Sequence, residues 1–292
     1  MPIKNKQKSF TLIELLVVIV IIGILVGVIM ISTSSSINKA NLAKAQAFSK
    51  TVQNELLLNL ISEWTFDEPE ESGKTKDSWG SSHGTFSGAL LPSYQNLSSR
   101  NCLFGGCYSF SGDGCISCGN NANLSINDKL TFSFWLKPGN QSANYDRVIE
   151  KGDWMVGGYS IQQRQVGENE IMFIFGSLDG WAGHFAPSVK YIPNEWNYVV
   201  STIDLNIGGQ SYINGISAGS PNSPLPYITT NNLFTIGRNF DGLIDDVRIY
   251  DAVLSSSQVK QNYIAGLNSL IRKGLILEAE FKEKVADLSS NK

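Results

Sequence analysis

A long apolar run near the amino terminus limits what this chain can fold into more than any other feature. Residues 15–31 are apolar side chains interrupted by two glycines, and residues 10–13 extend the run to the length of a membrane-spanning helix. Three lysines within residues 1–9 predict that this end stays in the cytoplasm and that the rest is exported. Glu14 lies inside the start of the run, and an ionisable residue at membrane depth needs a partner.

A secretory signal peptide is the alternative explanation for a basic stretch followed by an apolar run. The run is longer than the apolar region of a signal peptide, and no small-x-small cleavage site follows it. Glu14 at its front also counts against a signal peptide. The sequence therefore favours a helix that stays in the membrane.

The stretch KSFTLIELLVVIVIIGILVGV resembles the processing signal of type IV pilins and pseudopilins. The resemblance implies that a prepilin peptidase cuts between Ser9 and Phe10, and that Phe10 becomes an N-methylated amino terminus. Family members usually carry Gly before the cut, where this chain has Ser9. The resemblance also implies a partner for Glu14, the terminal amine of Phe10 in a neighbouring subunit, because opposite charges stabilise each other in an apolar medium. Glu14 and Phe10 are thus expected to act in filament assembly.

Helical periodicity continues beyond the apolar run. Apolar residues recur at four-residue spacing at Phe48, Val52, Leu56 and Leu60. We expect a leader over residues 1–9 and one helix over residues 10–62, roughly 80 Å long. Such a chain would cross the inner membrane once before assembly and would then lie in an extracellular or periplasmic filament.

The pattern after residue 62 changes to short strands separated by turn signals. LTFSFWLKP has the alternation of a strand, with Leu130, Phe132, Phe134 and Leu136 on one face. IMFIF, WNYVVSTID, QSYINGISAG, LFTIG and LIDDVRIY are further strand candidates, and Asn214-Gly215 predicts a tight hairpin. We expect an all-β antiparallel sandwich over residues 63–266 and a short helical tail over residues 267–292.

Five segments, taken in order, resemble the LamG-like, concanavalin A-like jelly-roll family. They are WTFDEPEESGKTKDSWGSSHGTFSG, CYSFSGDGCISCG, TFSFWLKP, WNYVVSTIDLNIGGQSYINGISAG and FTIGRNFDGLIDDVRIYDAVLSSSQV. Many members carry calcium at the edge of the sandwich, and Asp77 and Asp245 occupy the matching acidic positions. Carboxylate and carbonyl oxygens suit Ca²⁺. The alternative is that Asp77 caps a turn and that Asp245 ends a buried strand through hydrogen bonds.

All four cysteines lie within residues 102–118. Export to an oxidising compartment favours disulfides, and ligation of zinc by four thiolates is the alternative. The resemblance to the jelly-roll family implies a bridge between Cys102 and Cys107. Cys115 and Cys118 are too far apart to bridge in a straight strand, so a bend or a pairing with Cys107 across the SGDG turn stays open.

Two tryptophans lie in glycine-rich loops, where a rigid sandwich commonly carries its binding residues. Trp154 and Trp181 are therefore the candidate carbohydrate-binding residues, together with His184, which is close in sequence to Trp181. The tryptophans within predicted strands are more typical of core or sheet-face positions.

Composition and motifs exclude several classes of function. The formal net charge is −3, and without the three leader lysines it is −6, with 20 basic against 26 acidic residues. An acidic chain without a basic stripe argues against a nucleic-acid partner. The sequence has no Glu-x-Asp-x-Glu arrangement, no Ser-His-Asp order and no phosphate-binding loop, so we expect no enzyme.

These features together predict a minor type IV pilin-like filament subunit that displays a lectin-like domain for adhesion or for glycan or surface recognition. The alternatives are a pseudopilin of a type II secretion or DNA-uptake apparatus, or a membrane-tethered glycan-active protein. The expected partners are a prepilin peptidase, other pilin or pseudopilin subunits, the inner membrane, and a carbohydrate or surface protein. Calcium is the one expected cofactor.

Overall fold

The structure is a computed structural model of the 292-residue chain. It describes residues 12–13, 15–22, 57–69, 73–96, 101–125, 127–141, 145–153, 157–176, 184–219 and 229–290, without the side chains of 153, 175, 184–186 and 289–290. The chain divides into two compact units, Met1–Glu55 and Leu56–Lys292.

The first unit is helical where it is described, at residues 12–13 and 15–22. Within the described residues, no helix combines the length and the hydropathy needed to cross a membrane. The predicted processing residues Ser9 and Phe10 and the assembly residue Glu14 lie outside the described residues. Most of the helix predicted over residues 10–62 also lies outside them.

The prediction of helix is wrong for the last residues of that range. Leu60–Trp64 forms a strand that pairs antiparallel with Gly242–Tyr250 near the end of the second unit. Every second residue of this strand is buried, and Trp64 is fully inside the core. Pairing with the distant strand satisfies backbone N–H and C=O groups and buries the indole of Trp64. This stabilisation exceeds the local preference for a helix, because the helical spacing of apolar residues extends only to Leu60.

The described part of the second unit contains 16 strands and two α-helices. The strands are β1 (Leu60–Trp64), β2 (Lys74–Thr75), β3 (Gly84–Ser87), β4 (Ser93–Gln95), β5 (Cys107–Phe110), β6 (Cys115–Ser117), β7 (Lys129–Pro138), β8 (Arg147–Asp153), β9 (Gly157–Gln163), β10 (Glu170–Phe175), β11 (His184–Lys190), β12 (Asn197–Asp204), β13 (Gly208–Ile213), β14 (Ile216–Ala218), β15 (Phe234–Ile236) and β16 (Gly242–Tyr250). The helices are α1 (Ser256–Arg272) and α2 (Glu278–Ser290).

The strands form two antiparallel sheets that enclose one hydrophobic core. The first sheet has the order β14-β13-β12-β7-β16-β5-β4, with β1 also paired to β16. The second sheet has the order β11-β10-β9-β8-β15-β6-β3-β2. The predicted alternation along β7 is confirmed, since its core side chains are Leu130, Phe132, Phe134 and Leu136. The predicted antiparallel sandwich is confirmed as well.

The predicted hairpin at Asn214-Gly215 is also confirmed. It joins β13 to β14, and both residues adopt positive φ angles of 51° and 79°, as a type I′ turn requires. The Asn214 side chain adds a tertiary contact, because its Oδ1 accepts a hydrogen bond from the Tyr198 N–H at 2.9 Å. The turn is thereby fixed to the neighbouring strand β12.

The helical tail begins earlier than residue 267 and is docked on the sandwich. Ser255 caps α1 through a reciprocal pair of hydrogen bonds with Gln258, so the helix begins at Ser256. Tyr263 stacks on Trp135, on the face of β7 that points away from the core, with ring centroids 5.7 Å apart. A Cβ at Gly266 would collide with the Trp135 indole, so glycine permits the close approach of α1.

Candidate functional site

Polar side chains form a continuous row across five strands of the second sheet. Direct cross-strand neighbours follow one another in the order Thr85, Ser117, Thr235, Glu150 and Ser160. The residues next to them along the strands point into the core, at Ile116, Ile149, Ile161 and Ile236. Because side chains alternate between the faces of a strand, this polar row lies on the outer face of the second sheet.

The side chains at the centre of the polar row are buried, and the side chain at one end of it is exposed. Thr235, Glu150 and Ser160 are 6%, 7% and 4% exposed, whereas Thr85 is exposed. Within the described residues, the buried Thr235 Oγ1 has no hydrogen-bond partner. A buried hydroxyl without a partner is costly, and a bound polar group would remove that cost.

Two arginines flank Glu150 at the centre of the polar row. Arg147 Nε lies 3.0 Å from Glu150 Oε1, and Arg238 Nη1 lies 3.2 Å from Oε2. The side chains of Arg147 and Arg238 are 27% and 52% exposed, so both reach solvent. The start of β8 and the residue shortly after β15 are held together, because the Arg147 N–H donates to the Arg238 carbonyl at 2.9 Å. We call Arg147 and Arg238 the arginine pair.

Gln162 continues this surface on strand β9. It is the cross-strand neighbour of Arg147, and its Oε1 accepts a hydrogen bond from Ser160 Oγ at 3.3 Å. Hydroxyl, amide and guanidinium groups in one row are suited to bind a ligand rich in hydroxyl groups. Glycoside hydrolysis typically uses two carboxyl groups, whereas Glu150 is one carboxylate and both of its oxygens face guanidinium groups.

The structure does not describe the side chains predicted to bind carbohydrate. Trp154 and Trp181 lie outside the described residues, and only the backbone of His184, the first residue of β11, is described. The neighbouring strand ends meet, since the Gly176 N–H donates to the Gly158 carbonyl at 2.9 Å. The ligand role of Trp154, Trp181 and His184 stays a prediction.

Helix α1 covers part of the outer face of the first sheet. Tyr263 of α1 covers Trp135 and also stacks on Tyr198. Beneath the helix, Arg248 forms ion pairs with Asp246 and Glu63, each at 2.7 Å. Burial raises the pKa of Asp246 to about 6, although Arg248 acts in the opposite direction. Helix α1 therefore buries the part of this face around Trp135 and Tyr198.

The predicted calcium residue Asp77 binds backbone N–H groups. Its Oδ1 accepts hydrogen bonds from Glu63, Trp79 and Gly80 at 3.0, 3.2 and 2.8 Å, and its Oδ2 accepts one from Ser82 at 2.9 Å. Four donors around one carboxylate fix the loop that follows β2 against β1. This arrangement matches the turn-capping alternative.

The second predicted calcium residue, Asp245, accepts hydrogen bonds from a different segment. Its Oδ2 accepts hydrogen bonds from the N–H groups of Leu103 and Phe104, each at 3.1 Å, and burial raises its pKa. Asp77 and Asp245 thus accept hydrogen bonds from separate segments, and the described residues contain no cluster of three or more potential metal ligands. Calcium binding stays a prediction that titration calorimetry with Ca²⁺ tests.

The cysteines follow the predicted pairing only in part. Cys102 and Cys107 form a disulfide, as the family resemblance implied. Cys115 and Cys118 are buried free thiols, so the expectation that they also form disulfides is wrong for this structure. Cys115 begins β6 and Cys118 follows it, and residues three apart on an extended strand point to opposite faces at about 10 Å separation.

Sequence reasoning missed the polar row and the arginine pair. Each strand contributes only one or two of these residues, and the order of the strands in the second sheet differs from their order along the chain. The signal that was present is the alternation of polar residues in GGYSIQQ of β9. That alternation marks an outer face but does not say which neighbours complete it.

Two family models match the chain. The model of the concanavalin A-like lectin/glucanases superfamily matches residues 110–260, which is more than half of the chain. The model of the prokaryotic N-terminal methylation motif matches residues 4–30. Both resemblances in the sequence are thus confirmed, and no curated protein matches the chain significantly.

Solved structures share the fold at low sequence identity. Domain 4 of the GH43 extracellular arabinanase AbnA from Geobacillus stearothermophilus, in complex with arabinotriose, is 24% identical with a TM-score of 0.53, over 69% of this chain and 97% of that domain. The binding domain of Paraclostridial Mosquitocidal Protein 1 is 18% identical with a TM-score of 0.56, over 73% and 53%.

A structure of botulinum neurotoxin type C, whose cell entry depends on interaction with two ganglioside molecules, is 14% identical with a TM-score of 0.55, over 73% and 53%. The chain spans about half the length of both toxin structures, and at these identities the likeness shows the fold alone. The two family matches go further: the chain belongs to the concanavalin A-like lectin/glucanase superfamily and carries the amino-terminal methylation motif of type IV pilins.

Proposed function

We propose that the chain is a minor type IV pilin-like filament subunit whose sandwich binds a glycan on the polar row. The head would then act in adhesion or surface recognition, with prepilin peptidase and other pilin subunits as partners of the amino-terminal segment. The methylation motif at residues 4–30 supports export and pilus association. The superfamily match supports a role of the head with carbohydrates, and the single carboxylate Glu150 on the polar row, paired with two arginines, favours binding.

The observation that carries the glycan proposal is the buried Thr235 hydroxyl without a partner at the centre of the polar row. It lies between Ser117 and Glu150, on the sheet face that α1 and α2 do not cover. A sugar hydroxyl would satisfy it, and the neighbouring Ser160 and Gln162 offer further donors and acceptors. The complex of a similarly folded domain with arabinotriose supports a saccharide as the ligand class.

The experiment is a glycan-binding screen of the full chain in detergent, followed by titration of the best ligand against matched variants. Thr235→Val removes the hydroxyl and keeps the shape, so we expect about fivefold weaker binding, from about 1 kcal/mol for one hydrogen bond. We expect no loss of stability, because the hydroxyl has no described partner in the free protein.

The matched control is Thr202→Val. Thr202 is also buried on an outer face, but on the first sheet, where its Oγ1 donates to the Gln210 carbonyl at 3.3 Å. We expect Thr202→Val to leave glycan binding unchanged. Equal affinity of Thr235→Val and the unchanged protein, or equal losses in both variants, would show that the ligand does not use the polar row.

A further inference from the structure

We propose that the arginine pair makes the polar row selective for anionic saccharides, those that carry a carboxylate or a sulfate group. This inference rests on the proposed function, since it names the class of glycan that the same face recognises. The recognised chemistry is a planar or tetrahedral oxyanion attached to a sugar, with its oxygens facing the guanidinium groups.

The first argument is the number of unused donors. A guanidinium group carries five N–H donors in a rigid fork. Within the described residues, the Arg238 side chain donates to Glu150 alone, through Nη1. Arg147 faces Glu150 through Nε, and its Nη1 lies 3.4 Å from the Tyr145 carbonyl. Most donors of the arginine pair therefore remain available at the surface of the polar row.

The second argument is local charge. Two guanidinium charges meet one carboxylate, so the group formed by Glu150 and the arginine pair carries a net charge of +1. Asp113 keeps its negative charge, because the Ala89 and Leu90 N–H groups that it accepts hydrogen bonds from stabilise the ionised carboxylate. Its effect on the pKa of Cys115, two residues before Ser117, is smaller than the effects of Arg238 and Glu150. The whole chain is acidic, so a polyanion would be attracted here by a specific group and not by the general field.

The third argument concerns the ligand's size. Thr235, Glu150 and Ser160 lie on three adjacent strands beside the arginine pair, so their hydroxyl and carboxylate groups form a row about 10 Å long. A small inorganic anion would contact one end of this row. An oligosaccharide with an acidic group would contact both the arginine pair and the neighbouring hydroxyl groups, including the Thr235 hydroxyl.

The experiment compares one polysaccharide backbone in three charge states. Unmodified dextran, carboxymethyl dextran and dextran sulfate are titrated against the full chain in detergent at physiological salt. We expect at least tenfold tighter binding of one charged form than of unmodified dextran. Preference for the carboxymethyl form assigns a carboxylated sugar, and preference for the sulfate form assigns a sulfated sugar.

Charge-neutralising variants locate the effect. Arg238→Gln and Arg147→Gln should each weaken binding of the charged dextran about tenfold. Arg164→Gln is the control, because Arg164 is 46% exposed, also lies beside the second sheet and also forms ion pairs, in its case with Glu168 and Glu170. It changes the net charge equally and should leave binding unchanged.

Glu150→Gln separates recognition from a structural role. Removing the carboxylate frees the arginine pair from its only described acidic partner, so we expect tighter binding of the charged dextran, by threefold or more. If the arginines served only to hold Glu150, this variant would weaken binding or leave it unchanged.

Two further outcomes overturn the inference: charged dextrans that bind no better than dextran or do not bind, and an Arg164→Gln loss as large as that of Arg238→Gln. The proposed function is tested separately, by binding of any glycan in the screen and the sensitivity of that binding to Thr235→Val.

Discussion

At the scale of single residues, glycine and buried charge decide how the outer face of the first sheet is closed. Gly266 lies within α1, where alanine would ordinarily stabilise the helix by about 1 kcal/mol. Here the Trp135 indole occupies the space in which a side chain would lie. The close contact between helix and sheet therefore depends on the absence of one methyl group.

Gly266→Ala should lower the free energy of unfolding by about 2 kcal/mol, because the new methyl group overpacks the contact with Trp135. Urea denaturation measures this change. Asn268→Ala is the control on the exposed side of α1 and should be neutral or slightly stabilising. A stabilising Gly266→Ala would mean that α1 does not rest on Trp135.

The buried Asp246 predicts a pH dependence of stability. Its pKa rises from an ordinary value of 3.8 to about 6, so the folded state binds a proton more tightly than the unfolded state. The contribution of Asp246 to stability is therefore complete below pH 3.8 and is lost as the pH rises through about 6. Asp246→Asn should flatten the dependence of the unfolding free energy on pH between 4 and 7. An unchanged profile would contradict the buried position of Asp246.

At the scale of elements, the disulfide loop connects α1 to the first sheet. The loop between Cys102 and Cys107 gives its N–H groups to Asp245 of β16 and its carbonyl groups to α1. On the helix side, Ser269 Oγ donates to the Leu103 carbonyl at 2.7 Å, and Lys273 Nζ donates to the Cys102 and Phe104 carbonyls. The small covalent ring thus orients both sets of groups.

Replacing Cys102 and Cys107 by Ser should cost about 2 kcal/mol, the chain-entropy value for a loop of this length. It should also weaken docking of α1, which near-ultraviolet circular dichroism of the Tyr263 and Trp135 pair reports. Reductant should lower the stability of the unchanged protein and have no effect on the double variant. A reductant effect in both would assign the loss to other cysteine chemistry.

Strand β7 and strand β1 show what local pattern can and cannot predict at this scale. The alternation in β7 identifies a half-buried strand, and its register against β12 and β16 agrees with that pattern. Strand β1 follows a helical spacing of apolar residues, and only its pairing with β16 makes it a strand. Local periodicity is therefore sufficient where it agrees with the partner strand and misleading where a distant partner decides.

At the scale of the whole molecule, the chain combines an amino-terminal methylation motif with a lectin-like sandwich. Processing of this chain is open to direct measurement by intact mass spectrometry. In cells with prepilin peptidase we expect a mass that begins at Phe10 and includes one methyl group, and in cells without it a mass that retains residues 1–9. A retained leader in both strains would contradict the assembly role of Glu14.

The same mass measurement counts the oxidised cysteines. Alkylation before and after reduction should reveal one disulfide and, under denaturing conditions, two free thiols, at Cys115 and Cys118. Two disulfides would require β6 to bend, since these thiols lie on opposite faces of an extended strand.

The sequence by itself determined the pilin-type signal and the sandwich, because they depend on local composition, short-range alternation and family motifs. The pairing of Cys102 with Cys107 was implied by the family resemblance alone. Tertiary structure alone decided the strand at Leu60–Trp64, the closure of the first sheet by α1, and the assembly of the polar row with the arginine pair. These features join residues far apart in the chain, and their formation depends on strand order and burial, which local periodicity does not encode.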